Sequence, residues 1–240
     1  MLNIKLRNMI LLALAVCYGA HAQGALTISS TRIVQSSDKQ SSTVVVANPS
    51  EQIFAAQAWV NTIEDDSTTA VPLIASPALF RLDPGGEQTV QINRLPNDLP
   101  DDRESLFFFN VQEIPQAADE KKNTLTIALR TRIKLFYRPA GLPGNTQESL
   151  NTLEWTMASI DGQSHLQVNN PSPYYFTFSK LKIDSGEDST LIDTKEMVGP
   201  FSTQAYAIND VKIGPNPRVT FTTISDFGGT TPERSVPLAQ

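Results

Sequence analysis

Short apolar runs separated by turn-forming residues dominate the chain after Gln23. The runs are rich in residues that favour β-strands, and Pro, Gly, Asn, Asp and Ser bound them. They cover residues 43–47, 54–60, 89–92, 105–114, 125–137, 153–160, 165–168, 174–183, 204–208 and 219–224. No segment after Gln23 carries the long apolar repeat of about 3.6 residues that an amphipathic helix needs. The pattern therefore predicts an all-β fold built from sandwiches.

The segment 139–144 divides these runs into two groups. It contains two prolines and two glycines, and a proline cannot supply the N–H donor that a central strand requires. A chain of 240 residues accommodates two sandwiches of roughly 100 residues each. We therefore predict a first β-sandwich domain at residues 23–138, a linker at 139–144 and a second β-sandwich domain at 145–240.

One run is longer than a typical strand. Between Thr124 and Tyr137 the leucines and isoleucines all fall on odd positions, namely Leu125, Ile127, Leu129, Ile133 and Leu135. Because side chains alternate along a strand, all of these residues lie on one face. Spacing alone favours a long core strand of the first sandwich. Residues 124–129, however, carry neither a charge nor a proline, which are the usual means of protecting an exposed strand edge.

The first 22 residues have the organisation of a secretory signal peptide. Lys5 and Arg7 precede the apolar run 9–17, and Ala20 and Ala22 supply small residues for a cleavage site. A membrane anchor is the alternative, but it would need about 20 apolar residues to cross a bilayer as a helix. A lipoprotein site is disfavoured because a valine precedes the cysteine. We predict cleavage after Ala22 and an exported product without a membrane segment.

Composition and charge disfavour several function classes. The formal charge of −6 becomes −8 without the signal peptide, whose two charged residues are basic, whereas nucleic-acid binding needs a basic surface. Loss of Cys17 leaves no thiol for a disulfide, a zinc site or catalysis. His165 is the remaining histidine, and no Gly-x-Ser-x-Gly motif accompanies it. The pairs at 65–66 and 101–102 lack the alternating acids of a calcium loop. No enzymatic activity, metal or other cofactor is predicted.

The segment 99–115 resembles the signature of the PapD-like periplasmic pilus chaperones of the chaperone–usher pathway. It reads LPDDRESLFFFNVQEIP, with proline, glutamate and asparagine landmarks at the family's positions. Further segments agree in the same order, at residues 31–33, 57–60, 80–85, 132–139, 170–175 and 223–228. The resemblance covers nearly the whole chain after the signal peptide.

This resemblance implies two immunoglobulin-like sandwiches joined at an angle, with a cleft between them. Such chaperones are not enzymes; they bind pilus subunits in the periplasm of Gram-negative bacteria and deliver them to an outer-membrane usher. They lend the last strand of the first domain to a subunit that lacks one, which is a form of β-augmentation. In this chain Leu125, Ile127 and Leu129 would enter the subunit, whereas Ile133 and Leu135 would stay in the chaperone. An exposed lent strand also predicts self-association of the free protein.

The resemblance also assigns charged residues. Arg32 and Lys134 match the pair that grips the C-terminal carboxylate of the subunit, and a guanidinium fork suits a carboxylate. Glu104 and Asp226 match two acids of an inter-domain network whose third member is an arginine. Its expected position is occupied by Gln91. We predict that Arg94 completes the network, in preference to Arg103.

The connection at 116–123 is short and polar, which resembles the chaperones of rod-like composite pili. A structural fimbrial subunit or adhesin is the alternative, but it needs an alternating apolar extension before its sandwich, and residues 23–30 contain none. A periplasmic hydrolase is a third possibility, but this sequence lacks the nucleophile and base that a hydrolase requires.

Overall fold

The computed structural model describes residues 26–66, 68–114, 127–186, 188–208 and 214–239. The predicted signal peptide, Leu125 and the connection at 116–123 lie outside these residues. The described chain is almost entirely β, which confirms the predicted fold class. No helix among the described residues has both the length and the apolar character needed to span a membrane.

Nine strands lie among the described residues of the first half of the chain. They are β1 (Thr27–Ile28), β2 (Arg32–Ser36), β3 (Ser41–Ala47), β4 (Phe54–Asn61), β5 (Leu73–Ser76), β6 (Leu79–Leu82), β7 (Glu87–Arg94), β8 (Ser105–Ile114) and β9 (Arg130–Arg138). One sheet has the strand order β1-β3-β7-β5, and the other has the order β2-β9-β8-β4-β6. The two sheets share one hydrophobic core, to which Val90 and Ile92 contribute from one sheet and Phe109 and Leu135 from the other.

The second half begins with a short helix, α1 (Thr146–Ser149), and a 3-10 turn (Leu150–Thr152). Seven strands follow in the part of this half that the structure describes, namely β10 (Glu154–Ile160), β11 (Gln163–Asn170), β12 (Phe178–Ser185), β13 (Asp188–Leu191), β14 (Ser202–Ala207), β15 (Arg218–Thr223) and β16 (Arg234–Pro237). They form sheets of order β10-β11-β14 and β13-β12-β15-β16. A second core lies between them, in which Trp155, Phe178 and Phe221 pack at centroid distances of 5.3–5.7 Å.

The two cores draw on separate parts of the chain, at residues 26–137 and 150–238. This separation is what two independently packed sandwiches produce. The proposed domain boundaries, with a linker at 139–144, fall between the two cores and stay a prediction.

The pairing of β2 with β9 is parallel, unlike the other strand pairs described in the structure. The described chain starts in one sheet, where β1 pairs with β3, and then crosses to the other sheet as β2. In this register Arg32 lies opposite Lys134 and Ser36 lies opposite Arg138. The crossing therefore brings together two basic residues that are far apart in sequence.

Candidate functional site

The first part of β9 has an open edge. Residues 130–137 pair with β8 on one side, whereas β2 covers the other side only from Lys134 onward. No described strand pairs with residues 130–133 on that second side. A strand edge of this kind presents unpaired N–H and C=O groups, to which another chain can add a strand.

The odd-numbered side chains change from buried to exposed toward the start of this strand. Leu135 is fully buried, and Ile133 packs partly buried against the first core. Leu129 and Ile127, just before β9, are 48% and 65% exposed. The carbonyl oxygen of Leu129 still accepts a hydrogen bond from the Glu113 amide, at 2.9 Å. A core strand throughout, which the spacing alone favours, therefore does not describe residues 127–129.

Arg32 and Lys134 lie side by side where the open edge ends. The guanidinium of Arg32 is largely buried and donates to the Ile224 carbonyl at 3.0 Å, while Lys134 Nζ donates to Thr177 Oγ1 at 3.3 Å. Both partners belong to the second half of the chain. Neither base forms an ion pair within the described residues.

Burial lowers the pKa of Arg32, although the nearby charges of Asp226 and Glu104 raise it. Burial also lowers the pKa of the Lys134 ammonium, and the charge of Arg32 lowers it further. Two partly desolvated cations that repel each other favour an anion between them. The pair is consequently suited to a carboxylate.

An open cleft of about 430 Å³ lies beside Lys134. Its lining comes from both halves of the molecule and is mainly apolar. The residues are Ile63, Leu106, Phe108, Lys134, Tyr175 and Met197, with Lys195 and Glu196. The predicted cleft between the two sandwiches is therefore present next to the cation pair.

Arg138, at the end of β9, joins the two acids of the inter-domain network. Its Nε donates to Glu104 Oε1 at 2.6 Å, and its two terminal nitrogens donate to the carboxylate of Asp226 at 2.7 and 2.8 Å. The other oxygen of Glu104 accepts from the Tyr175 amide at 2.8 Å. The guanidinium also lies over the Tyr174 ring, 5.3 Å from its centroid. This network links the two halves directly.

The prediction that Arg94, in preference to Arg103, completes this network is therefore wrong. Arg138 is the arginine that contacts both acids. Arg94 ends β7 in the opposite sheet and lies across from Leu73, and no described contact joins it to either acid. Arg103 pairs with Asp102 at 2.8 Å. Arg138 shares the face of Lys134 because the two positions on β9 differ by an even number. This even spacing can be seen in the sequence and could have indicated Arg138.

Burial and charge pairing within the network shift the pKa values of its members in opposite directions. Burial raises the pKa of Glu104, and the charge of Arg138 counteracts that shift. Burial disfavours the charged form of Arg138, but the hydrogen bonds and charges of Asp226 and Glu104 outweigh it and raise the pKa of the guanidinium. Removal of the arginine would leave a buried carboxylate without its partner, which is strongly disfavoured.

Arg138→Lys is expected to lower the free energy of unfolding by about 1.5–3 kcal/mol, because lysine keeps the charge but loses the fork that reaches both acids. Chemical denaturation measures the change. Arg81→Lys is the matched control, since Arg81 pairs with Asp83 at 2.8 Å on the exposed surface. Equal effects of the two substitutions would contradict the importance of the network.

The other candidate residues also have partners within the described chain. His165 is partly buried, and its Nδ1 lies 3.0 Å from the Gln163 carbonyl oxygen. Asp66 accepts hydrogen bonds from Thr68 and Thr69, and Asp65 pairs with Arg130. No cluster of three potential metal ligands occurs among the residues that the structure describes.

Comparison with known proteins identifies the family. Residues 25–143 match the model of the pili and flagellar-assembly chaperone PapD N-terminal domain, and residues 148–235 match the pili assembly chaperone PapD C-terminal domain. The chain belongs to the PapD family of pilus chaperones. It is therefore a fimbrial chaperone of the chaperone–usher type, as the resemblance in the sequence predicts.

Individual relatives agree with this family. The probable fimbrial chaperone YadV of Escherichia coli K12 is 35% identical over 236 residues, which cover 95% of this chaperone and 96% of YadV. The crystal structure of YadV matches with a TM-score of 0.77, covering 89% of this chain and 99% of that one. The Salmonella enterica SafA pilin–SafB chaperone complex shares the fold, with a TM-score of 0.76 at 23% identity over 91% of this chain and 99% of the matched chain.

Proposed function

We propose that this chaperone binds fimbrial subunits by lending them the open edge of β9 and by anchoring their C-terminal carboxylate at Arg32 and Lys134. The observation that carries the proposal is the position of the cation pair at the point where the open edge ends. An added strand would pair with residues 127–133, and its terminus would then meet both bases. Leu125, Ile127 and Leu129 would fill the groove left by the missing strand of the subunit.

The geometry defines the direction of the added strand. The anchor lies at the Lys134 end of the open edge, and the free part of the edge extends from there toward Ile127. A strand whose last residue sits at the anchor must therefore run from Ile127 toward Lys134, in the same direction as β9. The added strand would lie in line with β2 along the same side of β9, and β2 is also parallel to β9. The anchor sets the register, because it decides which subunit residue faces each inserted side chain.

The inserted side chains supply the main favourable energy. Each Leu or Ile that becomes fully buried contributes about 1.5–3 kcal/mol of hydrophobic transfer. The costs of ordering the strand and of association are subtracted from this gain. A pre-formed edge with exposed Ile127 and Leu129 lowers the ordering cost, and it also explains the expected self-association of the free protein.

The cellular setting follows from the family and the N-terminal sequence. A signal peptide cleaved after Ala22 would export the chain to the periplasm, and the outer-membrane usher would receive the loaded subunit. The structure of SafB with the SafA pilin is an example of such a complex on the same fold. Neither the predicted connection at 116–123 nor its assignment to rod-like pili changes this mechanism.

Co-purification tests the proposal. We expect the tagged chain, expressed with its signal peptide, to be recovered from the periplasm in an equimolar complex with the subunit encoded beside it. A fimbrial subunit or adhesin, the alternative function, would instead form polymers under the same conditions. Recovery of a polymer of this chain, or of the chain without a subunit, would contradict the proposal.

A further inference from the structure

The even-numbered residues of β9 present four bases on the face opposite the inserted side chains, namely Arg130, Arg132, Lys134 and Arg138. Arg138 belongs to the inter-domain network. Lys134 lines the cleft, as described above. Arg130 and Arg132 instead contact the loop at residues 62–66, which follows β4. Carboxylate anchoring does not account for these two arginines.

Arg130 is held by several groups at once. Its Nη1 donates to Asp65 Oδ2 at 2.9 Å, and its Nη2 donates to the other oxygen of the same carboxylate. Its Nε donates to Asn110 Oδ1 at 3.0 Å, and its Cζ lies 4.9 Å from the centroid of the Trp59 ring. A two-pronged pair with a carboxylate restricts the guanidinium in both position and orientation.

The loop end of this contact is also fixed. Asn61 Nδ2 donates to Asp65 Oδ1 at 2.6 Å, and Asn110 Nδ2 donates to Asn61 Oδ1 at 2.9 Å. Asn110 is fully buried, and Asn61 is nearly so. The hydrogen bonds from Arg130 and Asn61 lower the pKa of Asp65 to about 2, so its carboxylate is charged near neutral pH.

Arg132 holds the beginning of the same loop. Its Nη2 donates to the carbonyl oxygens of Thr62 and Ile63, the latter at 3.2 Å. Its Cζ lies 3.8 Å from the centroid of the Phe108 ring. Two consecutive outward-facing residues of β9 are thus attached to one loop.

We infer that the loop at 62–66 is a brace for the lent strand, and that Asp65 and Arg130 are positioning residues for subunit capture. The brace fixes the backbone at Arg130, directly after the exposed Leu129, from the face that does not enter the subunit. Residues 127–129 are thereby held extended before a subunit arrives, which reduces the ordering cost of binding. The inference rests on the proposed strand lending and adds the part of the fold that prepares it.

Hydrogen exchange tests the brace without any ligand. The Glu113 amide donates to the carbonyl oxygen of Leu129 and so reports whether Leu129 stays docked. Asp65→Asn keeps the shape of the side chain but removes the charge that pairs with Arg130. We expect the weakened contact to speed exchange at the Glu113 amide about three- to tenfold. The Ile192 amide, bonded to the Leu181 carbonyl in the second sandwich, should be unaffected.

Binding tests the consequence. The probe is an eight-residue synthetic peptide of alternating valine and threonine with a free C-terminal carboxylate, which can pair along the open edge and reach the anchor. We expect Asp65→Asn and Arg130→Gln each to weaken peptide binding about three- to tenfold, and the double variant to be no weaker than the worse single one. Glu233→Gln is the matched control, because it removes the exposed ion pair with Lys180 at 2.9 Å.

The outcomes separate the brace from the function on which it rests. Unchanged exchange at Glu113, or a lower melting temperature with unchanged peptide binding, would overturn the inference while leaving strand lending intact. Failure of the unsubstituted chaperone to bind the peptide would count against the proposed function. The exchange rate at Glu113 would then still decide whether the loop holds Leu129.

Discussion

Ile127→Glu is expected to abolish recovery of fimbrial subunits with the tagged chaperone while the free protein stays folded. The Ile127 side chain is 65% exposed, so the substitution should change the free energy of unfolding by no more than about 0.5 kcal/mol. In a complex the glutamate would enter an apolar groove, where an unpaired carboxylate is strongly disfavoured. The contact would also lose the hydrophobic transfer of the isoleucine, about 1.5–3 kcal/mol.

The adjacent residue supplies the control for this experiment. Ala128 is exposed as well, and its side chain points to the opposite face of the strand. Ala128→Glu therefore adds the same charge to the same backbone but leaves the inserted face unchanged, and it should preserve most of the recovered subunit. Equal loss in both variants would indicate general damage to the strand. Unfolding of Ile127→Glu without a subunit would mean that Ile127 belongs to the chaperone's own core.

The sequence predicts strands best where one chain supplies all of their contacts. The run at 105–114 coincides with β8, because its apolar odd positions meet the core and its neighbours flank it on both sides. The short strands β5 and β6 did not stand out, since four residues are too few for a clear alternation. Pairing with longer neighbours creates them.

The start of β9 shows a different limit. The apolar odd positions extend from Leu125 to Leu135 with one interruption, at Thr131, yet the described strand begins at Arg130. The periodicity states which face is apolar, but it does not state whether the covering chain is the protein itself or a partner. The resemblance to the pilus chaperones supplied that distinction, and the exposure of Ile127 and Leu129 is compatible with it.

The charged sites depended on pairings that are remote in sequence. The parallel register that places Arg32 against Lys134 has no local signature, so only the family motif indicated this pair. Arg94, the arginine predicted for the inter-domain network, ends β7 in the opposite sheet, whereas β9 leads directly from Lys134 to Arg138 at the domain junction. The even spacing between Lys134 and Arg138 on one strand therefore indicates the arginine of the network better than the family's expected position on β7.

Removal of the anchor is expected to affect capture as strongly as Ile127→Glu. Arg32→Ala and Lys134→Ala should each weaken binding of a subunit by about 2–5 kcal/mol, the range measured when one member of a buried charge pair is truncated. The remaining base cannot replace the loss, because burial already disfavours the charged form of each base. Subunit accumulation in the periplasm measures the effect, and circular dichroism shows whether the variants fold.

A comparison of two peptides isolates the carboxylate itself. The alternating valine–threonine peptide should bind the unsubstituted chaperone more tightly as the free acid than as the C-terminal amide, and this preference should disappear in Lys134→Ala. Lys195→Ala is the control for general attraction to the cleft, since Lys195 lines the same cleft but is 85% exposed and pairs with Asp193. An acid preference that survives in Lys134→Ala but is lost in Lys195→Ala would place the carboxylate elsewhere in the cleft. The anchor also sets the register. A chaperone without the anchor should therefore bind the peptide in more than one alignment along β9.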